Sequence, residues 1–240
     1  MNDTIQATIE GYAPSDETIA LLRQTPVFFL VGIAGAGKDT VKAELLRSHK
    51  GYHHIVSHTT RPPRSNNGTL EQSGIDYHFV SVDEAVRMAK EQAFIEVKIV
   101  HGTIYGTSVQ EIRDAHDAGV IATTDIDVQG VAEYKRLAPD STIAVFLVPP
   151  SYEIWLERLS RRYGEGGIPA DELAKRTLSA VFELEHALSV PYYHFIVNED
   201  IDHTVETADT IAHHHDTFNE IDAAVRLQAE QLLADIKKHL

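Results

Sequence analysis

An α/β fold, with a parallel sheet covered by helices on both faces, is what this sequence predicts, and three observations predict it. From Val27 onward, short apolar runs alternate with stretches of helical periodicity. The first apolar run leads through a glycine-rich loop into a helix pattern. Residues 57–107 break that rhythm with closely spaced strand-like runs, which predicts a small, mostly antiparallel insert.

Taken in order, residues 1–25 are polar apart from one Leu-Leu pair and read as an N-terminal extension with room for a short helix. "VFFLV" (27–31), bounded by Pro26 and Gly32, is a buried strand. "KDTVKAELLRSH" places Val41, Leu45 and Leu46 at helical spacing. Within the insert, "DYHFVS", "FIEVKIV" and "TIYGTS" are short strands. Further strands are expected at 119–124, 141–148 and 193–198, and helices at 108–118, 129–137, 151–162, 170–188 and 202–218. Strands alternating with helices require a parallel sheet. The tail sets Ile221, Val225, Leu232, Ile236 and Leu240 on one helical stripe. That stripe can pack on the core or on a second copy, so a homodimer is one arrangement it allows.

Composition narrows the function. The chain has 240 residues, 43% hydrophobic and 24% charged, which is ordinary for a globular protein with one sizeable domain. The absence of cysteine removes disulfides, thiolate metal sites and a cysteine nucleophile, and it fits a cytoplasmic protein. The first residues do not read as a secretory signal, and the apolar runs are too short to span a membrane. A net charge of −15 argues against nucleic-acid polymers as partners. Phosphate, if bound, needs a local basic pocket.

Five stretches carry chemistry. In "VGIAGAGKDT", residues Gly32, Ala34, Gly35, Ala36, Gly37 and Lys38 form a strand–loop–helix phosphate loop. Its amides would wrap polyphosphate oxygens, with Lys38 reaching the β and γ phosphates. "SHTTRPPR" holds Arg61 and Arg64 on a segment stiffened by Pro62 and Pro63, and a guanidinium matches phosphate bidentately. In "FIEVKIVHGTIYGTS", Glu96 sits among apolar neighbours; buried, it needs donors, and a guanine edge supplies two. Asp125 and Asp127 end a strand at the sheet's carboxyl edge, where such residues hold magnesium or cap the following helix. Arg158, Arg161, Arg162, Lys175 and Arg176 flank a glycine-rich turn, which reads as a lid or as a solvated hairpin. His213 to His215 point in different directions on a helix and read as surface.

In this order and spacing, "SHTTRPPR", "DYHFVS", "IYGTS", "DIDVQG" and "VPPS" resemble the guanylate kinase family from about Val27 to about Asp200. The resemblance implies a P-loop NTPase-type core over 26–205, with a GMP-binding insert at 57–107 and a lid at 158–176, followed by a C-terminal helical extension at 206–240. It implies that Ser57, Arg61, Arg64, Tyr77, Glu96, Tyr105 and Thr107 hold GMP, with Ser57 and Glu96 reading the base. Asp125 and Asp127 fall on paired aspartates near magnesium and the guanine site. Arg162 and Arg176 fall on lid arginines that close over the polyphosphate of ATP, and Asn198 on an asparagine near adenine. Lys38, Arg61, Arg162 and Arg176 are thus the expected catalytic residues, and ATP, GMP and Mg2+ the expected ligands.

This sequence departs from the family at Asp39, which stands where a Ser or Thr supports magnesium, at Val97, and in a glycine-rich lid turn. Asp39 is favoured in a first helical turn by about 0.3–1 kcal/mol, and a carboxylate also binds magnesium strongly. Asp39, Thr40 and Asp125 are therefore the expected metal-side residues. Two rival readings stay open: a kinase of this shape with another nucleotide or a sugar phosphate as acceptor, and a non-catalytic protein-binding module.

Overall fold

The computed structural model describes residues 3–66, 69–161, 163–214 and 221–240. A five-stranded sheet has the order β11-β10-β1-β9-β2, built from β1 (Val27–Val31), β2 (Tyr52–His54), β9 (Ile121–Asp125), β10 (Thr142–Val148) and β11 (Tyr193–Val197). β10 pairs with β11, and β2 with β9, in parallel. Every residue of β1 and β10 is buried, as continuous apolar runs demand of a sheet covered on both faces. The expected strand at 119–124 starts two residues later, because Gly119, at φ 65°, ends the preceding helix in the left-handed region. Among the described residues, no helix is long and apolar enough to cross a membrane.

The chain divides into two compact units. The first comprises Met1–Val27, Gly51–Thr123 and Arg136–Ser141. Its N-terminal part holds two helices, α1 (Asp3–Glu10) and α2 (Asp16–Gln24), where one was expected. Ser15 starts α2 by accepting the Thr18 amide. A second sheet has the order β6-β3-β8-β7, from β3 (His58–Thr59), β6 (His78–Phe79), β7 (Phe94–Val100) and β8 (Thr103–Ser108). β8 runs antiparallel to both neighbours, while β3 and β6 are parallel. A short hairpin, β4 (Ser65–Asn66) with β5 (Thr69–Leu70), branches from this unit. Helix α4 (Val82–Lys90) also lies here; its signal was the Ser81-x-x-Glu84 start, where the serine accepts the Glu84 amide. α5 (Val109–Ala118) follows β8. Ile9 of α1, Ala85 and Ala89 of α4, Phe94 and Ile104 form one core cluster. The N-terminal extension is thereby part of this unit's interior.

The second unit comprises Phe28–Lys50, Thr124–Lys135 and Thr142–Leu240. Helix α3 (Lys38–Ser48) follows the glycine loop, and α6 (Val128–Leu137) follows β9. Beyond β10 come α7 (Tyr152–Arg161), a 3-10 turn (Gly164–Gly166) and α8 (Ala170–Ser189). α9 (Ile201–His214) and α10 (Ile221–Lys237) complete the unit. The C-terminal stripe packs on its own chain: Ala229, Leu232 and Ile236 are buried, and α10 lies against α8 and β11. Leu240 is exposed and falls off that stripe. His215 and residues 216–218 of the expected helix lie outside the described residues.

Burial of Ile9 makes α1 structural. Ile9→Ala is expected to lower stability by about 2–4 kcal/mol through lost burial and a cavity, read as the urea midpoint against Leu227→Ala, whose side chain is exposed. Equal midpoints for the two variants would mean that α1 is not docked.

Candidate active site

In the second unit, the loop Gly32–Gly37 is held from behind. Trp155 Nε1 donates to the Ala34 carbonyl at 2.8 Å, and Asn198 Nδ2 donates to the Ala36 carbonyl at 2.7 Å. Asn198 is buried and is itself fixed, accepting from Thr204 Oγ1 at 3.2 Å. Two glycines are sterically required. A Cβ on Gly32 would lie 2.6 Å from the Leu147 carbonyl, and one on Gly37, at φ 95°, would collide with the Asn198 amide. Helix α3 begins directly after Gly37, so the positive end of its dipole meets the loop. Lys38 Nζ donates to the loop's own carbonyls at Gly32 and Ile33.

Asp39 and Thr40 are exposed in the first turn of α3. Asp125 ends β9 and is ion-paired with Lys42, one turn along α3 from Lys38. Burial pushes the Asp125 carboxyl up, but Lys42 and then Lys38 outweigh it and hold the group below its ordinary value. Asp127 Oδ1 accepts the Gly130 amide at 2.7 Å and so caps α6, the structural alternative the sequence had left open. A cleft of about 460 Å³ is lined by Gly35, Gly37, Thr40, Arg158, Arg161 and Asn198 together with Glu199, Asp200 and Ile201. On α7 and α8, Arg161 pairs with Glu157 at 2.5 Å and Arg176 with Glu172 at 2.8 Å, each within its own helix. Arg162 lies outside the described residues.

The first unit brings together most residues expected around a nucleoside monophosphate. The Arg61 guanidinium lies 4.9 Å from the Tyr77 ring centre, and the Tyr77 and Tyr105 rings are 6.1 Å apart. Buried Glu96 accepts from Thr107 Oγ1 at 3.0 Å. Ser57 is half-buried just before β3, and Arg64 is exposed. The first unit also has a cleft of about 720 Å³, whose lining mixes Glu17, Glu91, Glu111 and Asp114 with His58, His78 and Arg113.

Glu71 and Lys42 were not singled out in the sequence, and Arg158 was read only as one of the cations beside the glycine-rich turn. Glu71 holds Arg61 bidentately at 2.5 and 2.8 Å and accepts the Arg64 amide at 2.8 Å. Its carboxyl is held down at about 2 by the Arg61 hydrogen bonds, and the Arg61 guanidinium is raised in return. Ten residues and a hairpin separate the pair, so spacing carried no signal. Arg158 donates to the Asn198 carbonyl at 2.9 Å. Lys42 had a signal, its position four residues after Lys38 on one helix face.

A phosphate loop heading a parallel sheet, with arginines, tyrosines and a buried carboxylate on a separate small sheet, defines a nucleotide-binding protein of the P-loop class. The family model described as "Guanylate kinase" matches residues 24–215. The chain is 36% identical over 181 residues to the guanylate kinase of Neisseria gonorrhoeae, covering 75% of this chain and 83% of that protein. It is 35% identical over 206 residues to that of Thiobacillus denitrificans, covering 86% and 88%. The crystal structure of guanylate kinase from Anaplasma phagocytophilum superposes with a TM-score of 0.58 at 28% identity, over 82% of this chain and 89% of that one. The chain belongs to the guanylate kinase family.

The Arg61–Glu71 pair has a defined pH signature. Because the folded carboxyl titrates below its ordinary 4.5, at about 2, its stabilisation is full above pH 4.5 and is lost as pH falls toward 2. The urea midpoint of Glu71→Gln is therefore expected below wild type at pH 6, with the gap closing as pH falls from about 4.5 to about 2. A gap that widens in acid would contradict the pairing.

Proposed function

We propose that the protein is an enzyme that transfers the γ-phosphoryl group of Mg-ATP to GMP, and to dGMP, giving ADP and GDP or dGDP. The observation that carries the reading is Glu96, a buried carboxylate that accepts from Thr107 Oγ1, in the same unit as Arg61, Tyr77 and Tyr105. A guanine edge offers the two N–H donors such a carboxylate needs, and the arginine–tyrosine group suits the 5′ phosphate. Ser57 is the second base-reading residue and Arg64 a further phosphate partner. Thr107 holds Glu96 in place.

The donor side belongs to the glycine loop, with Asn198 supporting it. Lys38 exchanges its loop carbonyls for phosphate oxygens. Lid residues Arg162 and Arg176 neutralise charge developing on the transferred group. The acceptor is already a phosphate oxygen, so no general base is needed. Magnesium takes one or two carboxylates and completes its shell with phosphates and water. The oxygens of Asp39, Thr40 and Asp125, all in the second unit, fit that demand. Magnesium held by these residues would supply positive charge that offsets the phosphates. Asp127 caps α6, and with Asp125 it forms the aspartate pair that the resemblance sets near magnesium and guanine. An acidic, cysteine-free chain acting on free nucleotides fits the cytoplasm.

ADP release from Mg-ATP with GMP, dGMP, AMP, CMP, UMP or no acceptor tests the reading. GMP and dGMP are expected to be used, with AMP rejected by about 10⁴ because its edge leaves Glu96 unpaired. Preference for another acceptor would favour a shifted substrate, and silence with all of them a binding module. Lys38→Ala is expected to lower kcat by at least about 10²–10³; a near-normal rate would sink the loop assignment.

A further inference from the structure

Strand β7 changes face in its first three residues. Phe94 pairs with Ser108, but Glu96 pairs with Thr107, so two steps on β7 match one on β8, a bulge at Ile95. Beyond the bulge, Val97 and Ile99 pack on the same hydrophobic cluster as Phe94. Without it, period-two alternation would place Glu96 with Phe94 on that apolar face. The bulge is what turns Glu96 to the side where it meets Thr107. It also has a requirement on β8: a Cβ on Gly106 would lie 2.9 Å from the Glu96 carbonyl and 3.0 Å from the Phe94 ring.

β7 is an edge strand of its sheet. Backbone groups on an edge need partners from elsewhere. At Phe94 one atom meets both needs. The Tyr12 hydroxyl donates to the Phe94 carbonyl and accepts the Phe94 amide at 3.2 Å. The Tyr12 ring also stands edge-on to the Phe94 ring, with centres 6.3 Å apart. Tyr12 sits just past α1, and α1 is packed on β7 and α4. The phenol is raised by burial, lowered by the Phe94 bond and raised again by the charge on Glu96, so the two side chains are near enough to couple.

We infer that Tyr12 is a positioning residue for base recognition: its hydroxyl fixes the Phe94 backbone, and through the bulge it aims Glu96 at the guanine edge. This rests on the reading of Glu96 given above. The residue lies outside the matched family region, which starts at residue 24, so the N-terminal extension is assigned a part in choosing the acceptor.

The test is steady-state kinetics of the full chain with GMP and with IMP, which lacks the exocyclic amine. Tyr12→Phe keeps the ring and removes the hydroxyl. It is expected to raise KM for GMP about five- to tenfold, to lower the GMP-over-IMP preference in kcat/KM, and to leave KM for ATP unchanged. Gly106→Ala, which presses on the same bulge from β8, is expected to lower the preference too. Ile9→Ala, assayed below its melting range, loosens the same helix but keeps the hydroxyl, and is expected to retain the preference. A Tyr12→Phe enzyme with unaltered GMP kinetics, or one that loses GMP and IMP equally, overturns the inference while leaving the proposed function standing. So does an Ile9→Ala enzyme whose preference falls as far as that of Tyr12→Phe. Failure of the wild type to use GMP removes the reading beneath it.

Discussion

A chain of net charge −15 that holds phosphates must keep cations at the sites of binding and keep them partnered beforehand. Several cations at the glycine loop, in the first unit and beside the glycine-rich turn have such partners. Lys38 rests on loop carbonyls, Lys42 on Asp125, Arg61 on Glu71, and Arg161 and Arg176 on glutamates one turn away. The partners differ in strength. Arg176 is 44% exposed and its intrahelical pair is worth little in water, so exchange for a phosphate is easy. Arg61 and Glu71 are each only 8% exposed and doubly bonded. Breaking that pair would strand a buried charge. The intrahelical pairs of Arg161 and Arg176 are therefore easily exchanged, whereas the Arg61–Glu71 pair is not.

The same division explains why the loop is braced from behind rather than by its own sequence. Its glycines permit the backbone but do not fix it, since glycine is the residue with most freedom to lose. Trp155 and Asn198 take the Ala34 and Ala36 carbonyls and so hold one conformation. Both come from elements more than a hundred residues later in the chain, and a loop of this kind is preorganised only once they are in place.

The fold was legible where burial is uniform and less so where geometry is local. β1 and β10 read directly as apolar runs, and α7 and α8 as periodic stretches. β2 (Tyr-His-His) has no apolar signature because it is a half-buried edge strand. Helix α4 was lost among strand signals although its serine cap was present. At the site, residue types announced their chemistry: arginines on a proline-stiffened turn, a glutamate in an apolar strand. What stayed hidden were the partners, Glu71 above all, because a salt bridge closed by a hairpin depends on a register that composition does not specify.

Glu96 shows where that limit lies. Its type and apolar setting raised it as a base reader, yet strict alternation counted from Phe94 would have sent it into the hydrophobic cluster. The bulge at Ile95 resolves the conflict, and a bulge on an edge strand leaves a backbone that something else must satisfy. The fold assigns that duty to Tyr12, whose helix, with Ile9 buried beside Phe94, contributes to the insert's interior. A segment that precedes the matched family region thus stands behind Glu96. Its contribution follows from one requirement: an edge backbone inside a core must find a donor and an acceptor, and a phenol hydroxyl provides both.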